Sequence, residues 1–312
     1  MVGIFLIGLL FISSTLFGNQ PTDTIYWIGT AESSAIGQAT TAQTNASDAI
    51  FFNPAALNTN QRSSINANYS ELYQTNISNF SFVTRSKQLS FGVGVHSTQS
   101  PNIERTVFDS DRQKIESTGF YNFSYSALFI STAVSIPYVS FGHIGTSIHL
   151  HRLNIDNHIL QGQSVNAGVL LHPLSFITVG FVHHHLIPLK LKWKTNQSIE
   201  FTPLTTQHQL PSYSRAGIEL NLFSSSIFEW RVLADYEINS NTASDDEPES
   251  PLKFGTSIAV SPIRFSMGYN SRYASLGVST LLGHLQINYA FVAPVNNSLF
   301  QYRHSFGINY FF

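Results

Sequence analysis

From about residue 62 to the C-terminus the chain repeats one pattern, segments of about 8 to 14 residues in which apolar and polar side chains alternate between turn-formers. Leu285, Ile287, Tyr289 and Phe291 alternate with His284, Gln286, Asn288 and Ala290, and Ile263, Phe265, Met267 and Tyr269 with Arg264, Ser266, Gly268 and Asn270. Phe228, Trp230, Val232, Ala234 and Tyr236 alternate with Glu229, Arg231 and Asp235, and Ala216, Ile218, Leu220 and Leu222 with Arg215, Gly217, Glu219 and Asn221. A period of two sends successive side chains to opposite faces of a strand. The expected class is all-β.

Alternation alone fits two solvents. In a soluble sandwich the apolar face is the core; in a membrane barrel it meets lipid while the polar face lines the lumen. Charged residues are 11% of the chain, against roughly 25% in soluble domains. The spacing of the connections points the same way. Links at 85–87, 135–138, 173, 223–225, 261 and 281–282 are tight and are every second connection, whereas the long links at 98–116, 188–209 and 238–251 all fall in the other set. Short turns at one rim and long loops at the other, with both ends of the barrel on the short-turn side, describe a fourteen-stranded antiparallel transmembrane β-barrel of the outer-membrane kind. The closing strand places Phe306, Ile308, Tyr310 and Phe312 at every second position. It resembles the C-terminal assembly signal that the outer-membrane insertion machinery reads.

The N-terminus has a different character. Met1 to Phe17 holds an apolar run of about 14 residues followed by Gly18-Asn19-Gln20-Pro21, short for a spanning helix and suited to a signal peptide. The expected organisation is a signal peptide at 1–18, an N-terminal periplasmic segment and hatch at 19–62, and the barrel at 63–312. Ala31 to Leu57 is rich in Ala, Ser, Thr and Gln and lacks strand alternation. It is expected to form a small-residue helix that plugs the barrel mouth and ends at Asn53-Pro54, because proline disfavours helical geometry in the residue before it.

Several classes fall away. A net charge of -2 and a pI near 6.6 offer no basic footprint for nucleic acid. With no cysteine there is no disulfide, thiolate nucleophile or lipid-modified N-terminal Cys. No Gly-x-Ser-x-Gly elbow, phosphate loop or zinc-ligand spacing occurs, so neither an enzyme nor a cofactor is expected. His183-His184-His185 invites a metal, but in a strand His183 and His185 share a face that His184 opposes. Polar residues near the strand's outer end are the preferred reading. Asp245, Asp246, Glu247 and Glu249 cluster with two prolines as a solvated loop rather than a calcium site. His143, His149 and His151 share the luminal face of one strand. Arg215, Glu219, Glu229, Arg231, Asp235 and Arg264 fall on luminal faces too, where charge survives only paired or hydrated. They are expected to form an ion network that supports the hatch.

The stretch Ala35-Ile36-Gly37-Gln38-Ala39, Ala42, and Ser47 through Asn53-Pro54-Ala55-Ala56-Leu57 resembles the N-terminal signature of the PorV/PorQ-like outer-membrane proteins, within the wider FadL-type group of hydrophobic-compound transporters. Asn166 to Pro173, Ile263 to Tyr269, Ile287 to Phe291 and the terminal strand resemble that family's strands. The resemblance implies a fourteen-stranded barrel whose hatch carries Asn53, Pro54 and Ala55. It implies either passage of hydrophobic small molecules or partnership with secreted cargo proteins in type IX-like secretion. A soluble secreted β-protein is the remaining alternative.

Overall fold

The computed structural model describes residues 29–72, 74–86, 88–109, 114–136, 141–156, 158–187, 189–194, 208–210, 212–238, 251–295 and 302–312. The signal peptide expected at 1–18 and the acidic cluster at 245–249 lie outside the described residues.

The described residues form sixteen strands. They are β1 (Ser64–Leu72), β2 (Thr75–Ser86), β3 (Leu89–Asp109), β4 (Lys114–Ser135), β5 (Gly142–Ile155), β6 (His158–Leu174), β7 (Ile177–Ile187), β8 (Leu189–Lys194), β9 (His208–Leu210), β10 (Tyr213–Ser224), β11 (Phe228–Ile238), β12 (Leu252–Val260), β13 (Ile263–Asn270), β14 (Tyr273–Leu282), β15 (Leu285–Pro294) and β16 (Arg303–Phe311). Within β1 to β7 and within β10 to β16 each strand pairs antiparallel with the next, β7 pairs with β10, and β16 pairs with β1, so fourteen strands close a ring. The remaining two, β8 and β9, are short; β8 sits on the outer part of β6 and β9 on β8. Prolines 188 and 211, which lack the N–H a ladder needs, stand in the sequence where these pieces separate from β7 and β10.

Three expectations are corrected. The segment expected as a long loop at 98–116 is mostly strand: β3 and β4 have 21 and 22 residues, about twice what a bilayer requires, and stay paired out to Asp109 and Lys114. Polar alternation continues there, so the backbone has no reason to leave the ladder. The turn expected at Pro173 falls two residues later. Pro173 is accommodated in β6 within a register shift between Leu171 and Leu174, where a missing N–H is tolerated. The hatch is not one helix. Its α-helix, α1, spans only Ala31–Ala35, with Thr30 as its cap; short 3-10 turns follow at Ala49–Phe51 and Pro54–Thr59, with irregular backbone between them. Ala, Ser and Thr supply no apolar stripe to hold a longer helix against anything, so contacts with the wall set the path.

The two faces of the wall invert a soluble protein. Phe265, Met267, Leu276, Phe306 and Ile308 point outward and are each more than half exposed, whereas Glu219, Asp235, Asn66 and Asn309 are buried inside. An apolar outer face around a polar lumen is the arrangement of a transmembrane barrel. Inside, Phe51, Ile50, Ala55, Ala56 and Leu57 of the hatch pack against Tyr125, Phe129, Leu153, Leu160 and Leu170 of β4 to β6, with the Phe51 and Phe129 rings edge to face at 5.1 Å. The apolar core therefore lies between hatch and wall.

Candidate functional site

Wall carboxylates hold the hatch on one side. Asp235 of β11 accepts hydrogen bonds from the Thr40 and Thr41 backbone N–H groups and the Thr41 hydroxyl at 2.9, 3.0 and 2.8 Å. Glu219 of β10 accepts from the Thr44 N–H at 3.0 Å and its hydroxyl at 2.6 Å. The cations compensate them. Arg231 lies 3.8 Å from Glu219 and 3.4 Å from Glu229, Arg264 lies 2.7 Å from Glu229, and Arg215 lies 2.9 Å from Glu237. The six luminal charges named from sequence thus occupy one side of the lumen, in two groups. Glu237 and Lys253, themselves 3.3 Å apart, complete the second group and were missed. They carry the same inward alternation as their neighbours and were the signal available.

Elsewhere the hatch is tied by neutral groups and by one cation, Arg303. Asn68 accepts from the Ala31 N–H, Asn79 donates to the Gly29 carbonyl, Asn66 to the Ser47 hydroxyl, Arg303 to Ser34 and Ser275 to the Ala35 carbonyl. Inside the hatch the Thr30 hydroxyl donates to Asp48. Burial, reinforced by nearby Glu32, raises the Asp48 carboxyl to about 7. Burial raises Glu32 as well.

Asn53 has two tasks. Its amide nitrogen donates to the Thr41 carbonyl at 2.7 Å, and its oxygen accepts from the Ala55 N–H at 3.1 Å, capping the turn in which Pro54 is first. Asn53, Pro54 and Ala55 lie against a wall that lacks side chains at that point. A Cβ at Gly168 would come within 2.1 Å of the Asn53 Oδ1, and one at Gly145 within 2.4 Å of the Pro54–Ala55 peptide. Gly180, Gly255 and Gly268 meet Thr41, Ile36 and Gly37 as closely. The hatch backbone seats directly on wall backbone.

The histidines take the other side. His149 and His151 are buried in the lumen, while His143 sits apart near the short-turn rim, 3.0 Å from the Asn58 amide. His183 is half-buried with Nδ1 2.7 Å from the Ser214 hydroxyl. The expectation that His185 shares its face is corrected. His185 has φ of 55°, a left-handed conformation that breaks the period of two, and β7 shifts register there against β6. Both His184 and His185 are consequently buried on the inner side. The His184 ring stacks on Tyr213 with centroids 4.5 Å apart. A cavity of about 60 Å3 lies between hatch and wall, and nine of its twelve lining residues carry rings: Phe51, Phe52, Tyr125, Phe129, His149, His151, His184, His185 and Tyr213. Gln38, Asn166 and Arg215 complete it. Among the described residues no three histidine or acidic side chains converge as a metal-ligand set.

Phe306, Ile308, Tyr310 and Phe312 lie on the outer face of the closing strand, alternating with the inward Ser305, Gly307 and Asn309.

No family model and no curated protein sequence matches the chain. Solved structures do. The toluene transporter TbuX of Ralstonia pickettii superposes with a TM-score of 0.60 at 13% identity, over 91% of this chain and 98% of that one. The toluene transporter TodX of Pseudomonas putida gives 0.59 at 10% identity, over 90% and 96%. A FadL homologue of Pseudomonas aeruginosa gives 0.55 at 10% identity, over 90% and 98%. The chain therefore has the fold of the FadL-type barrels, closed by fourteen antiparallel strands around a small N-terminal plug.

Proposed function

We propose that this protein is an outer-membrane barrel that takes up small hydrophobic molecules, and that the ring-lined cavity between hatch and wall is its binding site. One observation carries the reading: beside the apolar core between hatch and wall, one region gathers nine rings around a space. An aromatic or aliphatic solute gains by leaving water for such a wall. Its way out follows the irregular seam of β6 and β7, where the bulge at His185 adjoins the cavity. The matching structures include a toluene transporter and a monoaromatic hydrocarbon channel. Export through residues 1–18 and assembly through the terminal strand belong to the same reading.

The test is uptake of radiolabelled toluene by cells that lack their own hydrocarbon channels, with and without this protein. Faster uptake that is lost in Phe129→Asp supports the proposal; equal rates at full surface expression overturn it. A second reading, a non-transporting PorV-type partner of secreted proteins, is favoured by how completely the wall grips the hatch. Copurification of secreted proteins through their C-terminal domains, without toluene uptake, would select it.

A further inference from the structure

The cavity carries a polar feature that a hydrocarbon does not use. Asn166 Oδ1 accepts from the His185 backbone N–H at 3.0 Å, so its amide nitrogen is the group facing His184 Nδ1 at 2.9 Å. Nδ1 must then accept, which puts the His184 proton on Nε2. That Nε2 is buried and has no partner. Arg215 lines the same cavity. Its Nη2 is taken by Glu237 at 2.9 Å, but its Nε–H is buried without an acceptor. The two side chains are 6% and 9% exposed and flank one ring, Tyr213, at 4.5 and 5.7 Å. Buried donors of this kind nearly always have acceptors. Each is a buried N–H on a side chain that lines the cavity, and an oxygen on a ligand can supply the acceptor it lacks.

We infer that the cavity selects small neutral aromatics bearing a hydrogen-bond acceptor, of the phenol class, over plain hydrocarbons of equal size. The nine rings hold the planar part of the ligand, and the His184 Nε2–H donates to its oxygen. Charge argues for neutrality. Arg215 and Lys253 face Glu237 and Asp235, so the local charges cancel, and a carboxylate would shed its hydration without a free cation to meet it. The inference rests on the uptake reading above and adds ligand class to it.

Toluene and phenol make the test, since they differ by a methyl against a hydroxyl. Affinities are measured by titration calorimetry on the detergent-purified protein, with benzoate as a third ligand. Partition alone favours toluene, because phenol must leave its water behind. The expected result is the reverse: phenol at least tenfold tighter, as sites built around a hydrogen bond discriminate. Benzoate should not bind measurably. In His184→Phe phenol should weaken at least tenfold more than toluene does, with unchanged heat-modifiable migration showing that the variant is folded. Toluene equal to or tighter than phenol overturns the inference and leaves the uptake reading standing. So does tight benzoate binding. If neither neutral ligand binds, the uptake reading fails with it.

Discussion

Asp235 is where the hatch should be easiest to release. Its Oδ2 collects three hydrogen bonds from one turn of the hatch, two of them from the backbone N–H groups of Thr40 and Thr41. In Asp235→Ala the Thr41 hydroxyl can rotate to another acceptor. The two backbone donors cannot, and they stay buried. At about 1–3 kcal/mol for each buried donor left unpaired, and more because the lost acceptor is charged, docking of this turn weakens by about 3–6 kcal/mol. At tenfold per 1.4 kcal/mol, the undocked population rises roughly 10²- to 10⁴-fold. Asp235→Asn keeps the shape and one acceptor oxygen, so it should fall between. Hydrogen exchange read by mass spectrometry on the detergent-solubilised protein measures this directly. Peptides over residues 38–45 should exchange faster in the alanine variant by up to that factor, while peptides from β13 to β15 stay protected. Single-channel recordings should show added conductance as the turn leaves the lumen. Unchanged exchange at 38–45 in a barrel that still migrates heat-modifiably would refute the assignment of Asp235 as the anchor.

Other consequences follow from the same contacts. In Gly268→Val the first added carbon would lie 1.9 Å from the Gly37 nitrogen, so the hatch must lift by more than an ångström. Conductance should rise, and a barrel that is intact but still closed would count against backbone-on-backbone seating. Asp48 titrates at about 7 in the docked hatch against an ordinary 3.8. The docked form therefore holds a proton that the released form gives up, and docking stability is full below about pH 4 and lost as pH rises through about 7. Glu32 shifts in the same direction. Calorimetric melting in detergent should show a lower Tm at pH 8 than at pH 5, with most of the difference gone in Asp48→Asn. Asn53→Ala removes a cap and a tether and should cost about 1–2 kcal/mol, read as a lower Tm with unchanged surface expression. Phe312→Ser should reduce the amount of heat-modifiable barrel in outer-membrane fractions without altering the Tm of what assembles.

The wall was legible in the sequence because a two-solvent barrel writes its pattern at every second residue, and β13 follows it without exception. What was not legible lies where one chain segment sets another's geometry. His185 enters the lumen because a non-glycine residue adopts positive φ, and no periodic pattern announces that. The hatch was mistaken for a helix because its small residues have little preference of their own; wall carboxylates and amides decide its path. Yet its seating was written in the wall. Gly145, Gly168, Gly180, Gly217, Gly255, Gly268, Gly277 and Gly307 each fall in a strand where an added Cβ would strike hatch atoms or the side chains that bind them. A water-filled lumen has no use for such residues, since serine or asparagine would line it as well and glycine weakens a strand. Glycine is needed where another backbone must come close. Recurring on the inward faces of strand after strand, it encodes a lumen that is occupied, so hatch and wall are one packing unit and the ring-lined cavity is a space their contact leaves open.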